Sequence, residues 1–588
     1  MSAAQPRSRS TVSSVQFTHR QITIVLAGLM SGMFLAALDQ TIVATAIRTI
    51  ADDLNGLSLQ AWATTAYLIT STIATPLYGK LSDLYGRRPF FIASITIFVI
   101  GSALAGLSQS MYQLAGYRAV QGVGAGGLFS LALTIIGDIV PPRERARYQG
   151  YFLAVFGTSS VLGPVVGGFL AGQSSILGIT GWRWVFLVNV PVGLVSLALV
   201  LRTLHLPHTR REHRIDYPGA TALVVALVPL LIVAEQGREW GWASTRSVAC
   251  YLIGLVGVAF FLLAERAYGD EALLPLRLFA RRTFGVGSLL NFIMGMGMFG
   301  ALAALPLYLQ IVKGKSPTQA GLLLLPLVLG IMAGSVTSGQ AIARTGRYRI
   351  FPIVGVTLLV LGCYLLSHIT ADTGMVEIDA YAFMFGLGLG LNMQTLVLAI
   401  QNAVPPQDMG VATASATFFR QMGGTLGTAV FLSALFNGLP GKIATAFRAV
   451  APTPQFQAAL HDPAVLSNSA NGPVLKMIHS GGPAAAGSTS PLNDSSFINH
   501  LDPRLARPFL VGFADAIDGV FLLAAGVLVV AWLIVWFLPE DTLGTVSGLQ
   551  AQRESGHAVA ETPVVTENPE AAATAGADPG PERSQSLA

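Results

Sequence analysis

ITIVLAGLMSGMFLAALDQTIVATAI, residues 22–47, carries one formally charged side chain, Asp39, in an otherwise uncharged run. A bilayer core takes about 20 residues of helix, so this run is long enough to span. It is too long for a signal-peptide core and has no small-residue cleavage site, which makes it a retained membrane helix. Further apolar runs follow at about 60–78, 90–107, 112–138, 146–172 and 182–203, completing six. Two more occupy 217–236 and 247–267. After the basic connector ending at Arg281 and Arg282 come another six, at about 284–312, 317–342, 350–369, 378–402, 409–436 and 510–538. Hydropathy therefore predicts an all-α polytopic membrane protein of fourteen transmembrane helices.

Composition agrees: of 588 residues, 52% are hydrophobic and 11% charged, against about 25% charged in a soluble domain. The 63 glycines suit helices that pack closely in lipid. The two cysteines, Cys250 and Cys363, lie inside apolar runs without partner spacing, which argues against disulfides, thiolate metal sites and redox chemistry. The net charge of +5 comes from small clusters between apolar runs, as short cytoplasmic loops provide, and not from a nucleic-acid-binding face. Arginines and lysines concentrate on alternate loops, among them Lys80, Arg87 and Arg88, then Arg143, Arg145 and Arg147, then Arg344, Arg347 and Arg349. The opposite short loops hold Arg48, Arg183, Arg238, Arg246, Lys313 and Lys315. The positive-inside rule places both termini in the cytoplasm.

The connector after the second run, GKLSDLYGRRP (79–89), and the one after the tenth, GQAIARTGRYR (339–349), each space two glycines seven apart with arginine directly after the second. Equivalent positions imply two pseudo-symmetric six-helix halves around a two-helix central insert, a secondary-transporter plan. The expected organisation is a tail at 1–20, a first half at 21–203, an insert with flanking loops at 204–282, a second half at 283–538 and a tail at 539–588. Within the second half, 437–508 has no period and reads as a flexible extracytoplasmic loop. The final tail, rich in Ala, Glu, Pro and Gly, reads as disordered.

LDQTIVATAI (38–47), GKLSDLYGRRP, RAVQGVGAGG (118–127) and GPVVGGFLAG (163–172) resemble, in order and placement, four motifs of the major facilitator superfamily. With fourteen helices the chain is similar to that superfamily's drug:proton antiporter branch. The resemblance implies a rocker-switch transporter driven by the proton gradient, a multidrug efflux permease in the cell's inner (plasma) membrane. Its partners would be amphipathic small molecules, protons and the lipid bilayer, with no cofactor and a monomeric transport unit.

The residues carry their own arguments. An ionised Asp39 in an apolar helix costs a few kcal/mol, so it must be neutral, paired or beside water. Burial favours its neutral form and a nearby arginine its charged form, and a carboxyl balanced between them can gain or lose a proton. Arg118, also within an apolar run and followed by Gln121, is the natural partner and holds its charge throughout. The family pattern favours proton coupling over a packing role for this pair. In the 79–89 connector, Gly79, Asp83, Gly86, Arg87 and Arg88 read as a gate: Asp83 can take a helix N-terminus or an arginine, and the arginines can meet acids across the cytoplasmic face. The second copy has Ala343 where Asp83 stands. Gly157, Gly163, Pro164, Gly167 and Gly168 on the fifth helix combine a proline bend with close-contact glycines; in the family this motif accompanies antiport-type exporters. Arg420 and Gln421 in FFRQMGGTLG (418–427) either line the cavity or bond between helices. Asn392, Gln394 and Asn291 are weaker substrate contacts, for which interhelical bonding is the plainer role. Arg48 stands where the family's first-helix motif has proline, and it either snorkels to the interface or attracts anionic substrates.

Three other functions compete. An ATP-driven pump lacks its phosphate loop, since Leu309 stands where GxxxxGK[ST] ending at Ser316 needs glycine. A receptor or scaffold has no need of buried Asp39 and Arg118. An exporter of one endogenous lipid, siderophore or metabolite is the rival within the transporter class. His205, His208 and His213 have no matching carboxylates or cysteines nearby, so neither an enzyme nor a metal site is expected.

Overall fold

The computed structural model describes residues 19–54, 59–204, 215–479, 498, 500–544, 547 and 550. Among the described residues, fourteen long helices make the bundle. The first six are α1 (His19–Asp53), α2 (Gln60–Tyr85), α3 (Arg87–Gly106), α4 (Met111–Ile139), α5 (Pro142–Gly172) and α6 (Asn189–Thr203). An intervening pair, α7 (Tyr217–Trp240) and α8 (Thr245–Tyr268), precedes α9 (Arg282–Leu307), α10 (Leu325–Thr345), α11 (Ile350–Leu366), α12 (Met375–Asn402), α13 (Met409–Val450) and α14 (Pro503–Val535). Twelve helices are long and apolar enough to cross a membrane. The others, α2 with 26 residues and α11 with 17, pack among them, compatible with the fourteen read from the sequence. The strand content among the described residues is one hairpin, Ser175–Ile176 against Ile179–Thr180, with Ser175 opposite Thr180 and a turn whose Leu177 and Gly178 both have positive φ.

The two six-helix sets pack alike. In the first, α1 lies on α5 and α6, and α4 on α2 and α3; in the second, α9 lies on α13 and α14, and α12 on α10 and α11. This equivalence is the structural form of the repeated connector. The second glycine of each copy, Gly86 (φ 99°) and Gly346 (φ 70°), occupies the left-handed region that side chains avoid, which explains why both copies keep it. Each set has its own core, around Leu35, Phe91, Phe98 and Leu128 in the first and Leu359, Phe385, Phe431 and Phe521 in the second. In α4 the glycines let neighbours approach to backbone contact: a Cβ on Gly122 or Gly126 would strike the carbonyls of Tyr67 or Ser71 on α2, and one on Gly124 or Gly127 would strike α3 at Ser94.

The halves meet where α2 packs on α13 and α5 on α10. Helix α7 lies across the α2–α13 seam, with Leu223, Leu227 and Leu231 against Ile69, Ile73 and Phe418. Helix α8 packs on α7 and turns Leu252, Leu255, Phe260 and Leu263 outward, an apolar face suited to lipid. The Arg- and Lys-rich connectors lie at one end of the bundle, below called the basic end.

Two expectations need correction. Residues 437–479 are not a formless loop: α13 continues to Val450, and short helices follow at Pro454–His461, Pro463–Ser467 and Gly472–His479. Apolar residues at irregular spacing, Phe447, Phe456, Val465 and Leu475, are buried in the second core together with Phe509 of α14. Arg504 joins Asp462 at 2.8 Å and Asp502 at 2.9 Å, and Asn471 accepts the Asp502 amide. The rest of that segment, 480–497, lies outside the described residues. The tail is also fixed at its start: Tyr348 donates to the Pro539 carbonyl, Thr283 to Asp541, and Asn402 to the Thr542 carbonyl. Residues 1–18, the histidines at 205, 208 and 213, and 551–588 lie outside the described residues.

The cap carries a pH prediction. Arg504 holds the Asp462 and Asp502 carboxyls below the usual carboxylate range, as Arg507 does for Asp372. Carboxylates depressed on folding contribute stability above their unfolded value of about 3.9, and it is lost as pH falls through the folded value. Protection factors for hydrogen exchange over 454–479, which correct for the intrinsic pH dependence of exchange, are therefore expected to be equal at pH 7 and pH 5 and to fall only below about pH 4. A lower protection factor already at pH 5 would contradict this account.

Candidate functional site

Asp39 sits fully buried midway along α1. Its Oδ2 lies 2.5 Å from Arg118 Nη1 of α4, while Oδ1 accepts from Gln121 Nε2 and Asn189 Nδ2, both at 2.8 Å. Arg118 is itself held: its Nη1 also donates to Gln121 Oε1 (2.7 Å), its Nε to the Ala63 carbonyl (3.2 Å), and its guanidinium lies 4.2 Å from the Tyr67 ring centroid. Ser102 of α3 accepts from Asn189 and donates to the Phe186 carbonyl. Five helices of the first half thus converge on one carboxylate. Chemically, this is a single buried ion pair whose acid is surrounded by hydrogen-bond donors.

At the basic end the halves are bolted together. Asp83, in the last turn of α2, accepts the Gly410 and Val411 amides at 3.0 and 2.9 Å. These are orphan donors at the N-terminus of α13, where the helix dipole also favours a carboxylate. Arg87 pairs with Asp83 at 2.5 Å and with Asp138 of α4 at 2.8 Å. Gly79 makes the approach feasible, since a Cβ there would overlap Ala414 and crowd the Gly410 carbonyl. Arg88 departs from expectation: it donates to the Leu201 carbonyl of α6 and meets no acid among the described residues. The second copy, with Ala343, supplies no matching bolt. On that seam Arg145 of α5 takes the role, donating to Gln401 of α12 at 3.1 Å and to the Val140 and Gly137 carbonyls.

The α5 motif divides between two partners. Gly163 and Gly167 face α1, where Thr41 and Thr45 fill the space a Cβ would need, and Thr41 donates to the Ser159 carbonyl. Gly157 faces Val328 of α10, and Pro164 lies beside Gly321 in the short helix Pro317–Leu323. Gly168 faces open space, so its place in the motif has no packing explanation. Gly163→Val is expected to cost about 1–3 kcal/mol by forcing α5 off α1, whereas Gly168→Ala gains up to about 1 kcal/mol of helix propensity. Thermal unfolding in detergent compares them; equal melting points would contradict the packing account.

The second half places its polar residues less decisively. Gln421 Oε1 meets Thr75 of α2 at 3.4 Å, a contact between halves. Asn392 and Asn291 bond to their own helices, at the Gly388 and Gly287 carbonyls, and Asn392 points at Gly355 of α11, away from the seams. Gln394 Oε1, Asn392 Oδ1 and Arg420 Nη1 are buried without a hydrogen-bond partner. Arg48 is exposed. Sequence reasoning missed Asn189, Asp138, Gln401 and the buried position of Arg145. Asn189 gave the same signal as Asp39, a polar residue inside an apolar run. Arg145 was counted among loop charges although it is 1% exposed. Among the described residues no group of three or more His, Cys, Asp or Glu is arranged to hold a metal.

With this geometry in view, comparison with known proteins is informative. The family model described as Major Facilitator Superfamily matches residues 29–428. An uncharacterised MFS-type transporter of Mycobacterium tuberculosis is 36% identical over 522 residues, covering 88% of this chain and 70% of that protein. The multidrug transporter protein MdtP of Bacillus subtilis is 36% identical over 72% of this chain and 77% of its own length. An efflux pump of Gibberella moniliformis is 32% identical over 74% and 77%. Among solved structures, the proton:xylose symporter XylE has a TM-score of 0.54 at 14% identity, covering 91% of this chain and 100% of its own. A bacterial homologue of the human lysosomal transporter Spinster has a TM-score of 0.53 at 16% identity, covering 92% and 99%. At such identities the likeness to these two structures is one of fold.

Proposed function

The chain belongs to the Major Facilitator Superfamily, and from that premise we propose that it is a proton-coupled exporter of amphipathic small molecules working by alternating access. It is a transporter and not an enzyme: a polytopic membrane protein that moves a small-molecule substrate, with multidrug and efflux transporters among its relatives. Proton coupling is our reading, and the observation that carries it is the buried Asp39–Arg118 pair. Asp39 takes the proton, Arg118 supplies the opposing charge, and Gln121 and Asn189 fix the carboxylate between them. Because Gly163 and Gly167 seat α5 against α1 two and six residues beyond Asp39 in reach, at Thr41 and Thr45, a change at the carboxylate is transmitted to the helix that also touches α10 in the second half.

Asp83, Arg87 and Arg145 form the gate on this reading, with Gly79 and Gly86 setting its backbone and Arg88 tying it to α6. The clasped basic end is the cytoplasmic side, both termini lie there, and the described state faces outward in the cell's inner membrane. One chain is the transport unit. Arg420, Gln421 and Gln394 belong to the central cavity, and Asn392 to the helix packing behind it. The test is reconstitution in proteoliposomes with an internal pH dye and a panel of amphipathic compounds. Substrate addition is expected to move protons in the opposite direction; a substrate that crosses with no proton flux ends the antiport reading.

A further inference from the structure

The arginines inside the bundle differ in how they are satisfied. Arg87 and Arg118 face carboxylates, and Arg145 is held by carbonyls and Gln401. Arg420 has none of these: it is partly exposed, among the described residues its side chain makes no ion pair or hydrogen bond, and its Nη1 is sealed from solvent. A guanidinium keeps its charge at any accessible pH, and a charge drawn partly out of water without a partner is costly. Three acids of the first half are committed, Asp39 to Arg118 and both Asp83 and Asp138 to Arg87. The position is also central. Gln421, the next residue, reaches Thr75 across the seam between halves, and Gly295 of α9 abuts the Arg420 backbone carbonyl. A transporter's substrate site lies at this junction of repeats.

We propose that Arg420 is the recognition point for an anionic group, so that the exported amphiphile carries a carboxylate or a similar monoanion on an apolar body. This rests on the exporter reading and names its substrate class. The guanidinium offers parallel donors to a planar carboxylate. Arg420 has no ion-pair partner among the described residues, so a cationic amphiphile is repelled where an anion is held.

The probes are three radiolabelled compounds sharing one apolar body: 1-naphthylacetate, 1-naphthylacetamide and 1-naphthylmethylamine. Scintillation-proximity binding to the full chain in detergent is expected to favour the carboxylate at least about tenfold over the amide and amine. Arg420→Gln is expected to erase that preference and Arg420→Lys to keep part of it. Equal binding of all three to the wild type, tighter binding of the amine, no binding of any, or an intact carboxylate preference in Arg420→Gln each overturns the inference. Should Arg420→Gln not remain monodisperse, the wild-type ranking and Arg420→Lys still decide. The same probes in the proton-dye assay separate the two claims. Carboxylate-selective binding with no proton movement retains the site and fails the antiport reading, whereas proton movement driven by the amine alone does the reverse.

Discussion

Asp39→Asn is expected to reduce substrate-driven proton movement in proteoliposomes to the level of empty vesicles. Asparagine has nearly the same shape but cannot take up and release a proton, and it changes the charge balance of the whole cluster. In the native cluster Arg118, Gln121 and Asn189 all point donors at the carboxylate. An asparagine amide presents one oxygen to three donors and sets its own NH2 against one of them. Arg118 is left buried without its counter-charge, a loss of about 3–5 kcal/mol when one partner of a buried pair is removed. A lower melting temperature is therefore part of the expected result, and activity must be normalised to folded protein. Asp39→Glu keeps the charge and titratability but moves the carboxyl by one methylene, so residual coupling is expected there and not in asparagine. Asp39→Asn moving protons at the wild-type rate in folded protein would sink the assignment of Asp39 as proton carrier.

The parts of this site that were legible share a physical reason. A charge in a run such as 22–47 is conspicuous because membrane insertion makes it costly, and a position that retains it must have a partner. The same logic pointed from Asp39 to Arg118 without any distance information. It also applied to Asn189, but an amide costs far less to bury than an ion, so it stands out less against its neighbours. Arg145 was hidden for the opposite reason. It lies in a basic connector where topology alone accounts for arginine, and no one-dimensional pattern tells a solvated loop charge from one folded back onto Gly137 and Gln401. The cap over 437–479 was illegible because its helices, such as Pro463–Ser467, are too short to display a period. Their apolar residues find burial only because α13 and α14 continue beyond the bundle.

The helical membrane architecture was readable because hydropathy is a local property, whereas the seam contacts pair residues hundreds of positions apart. Asp83 is the partial exception. Its residue type predicted a helix N-terminus or an arginine as partner, and it has both, but nothing local identified the helix as α13. The missing acid at Ala343 did predict an asymmetry: one seam is fastened by a carboxylate on amides, the other by Arg145 on an amide side chain. Two unlike fasteners give the halves two separately breakable contacts at the basic end, as a rocking motion requires.

Asp83→Ala is expected to open the basic end. The substitution removes the acceptor for the Gly410 and Val411 amides; hydrogen bonds to charged groups contribute about 1.5–3 kcal/mol each. Losing even 3 kcal/mol of differential stabilisation shifts a two-state balance by roughly a hundredfold, at about 1.4 kcal/mol per factor of ten. Arg87 keeps Asp138 as a partner, so the first half stays intact and the effect falls on the contact between halves. Spin labels at Tyr85→Cys on α2 and Gln407→Cys before α13, with Cys250 and Cys363 replaced by alanine, report this separation by electron–electron double resonance. The parent is expected to give a short distance and Asp83→Ala a long one. Asp83→Asn, which retains an oxygen acceptor without the charge, is expected to populate both. Transport should fall in the same order, because a clasp that cannot close stops the cycle as surely as one that cannot open. An unchanged distance in Asp83→Ala would assign the closed state to Arg145, Gln401 and the α5–α10 seam instead. Combining Asp83→Ala with Gln401→Ala then distinguishes a shared clasp, in which the two effects exceed their sum, from two independent ones.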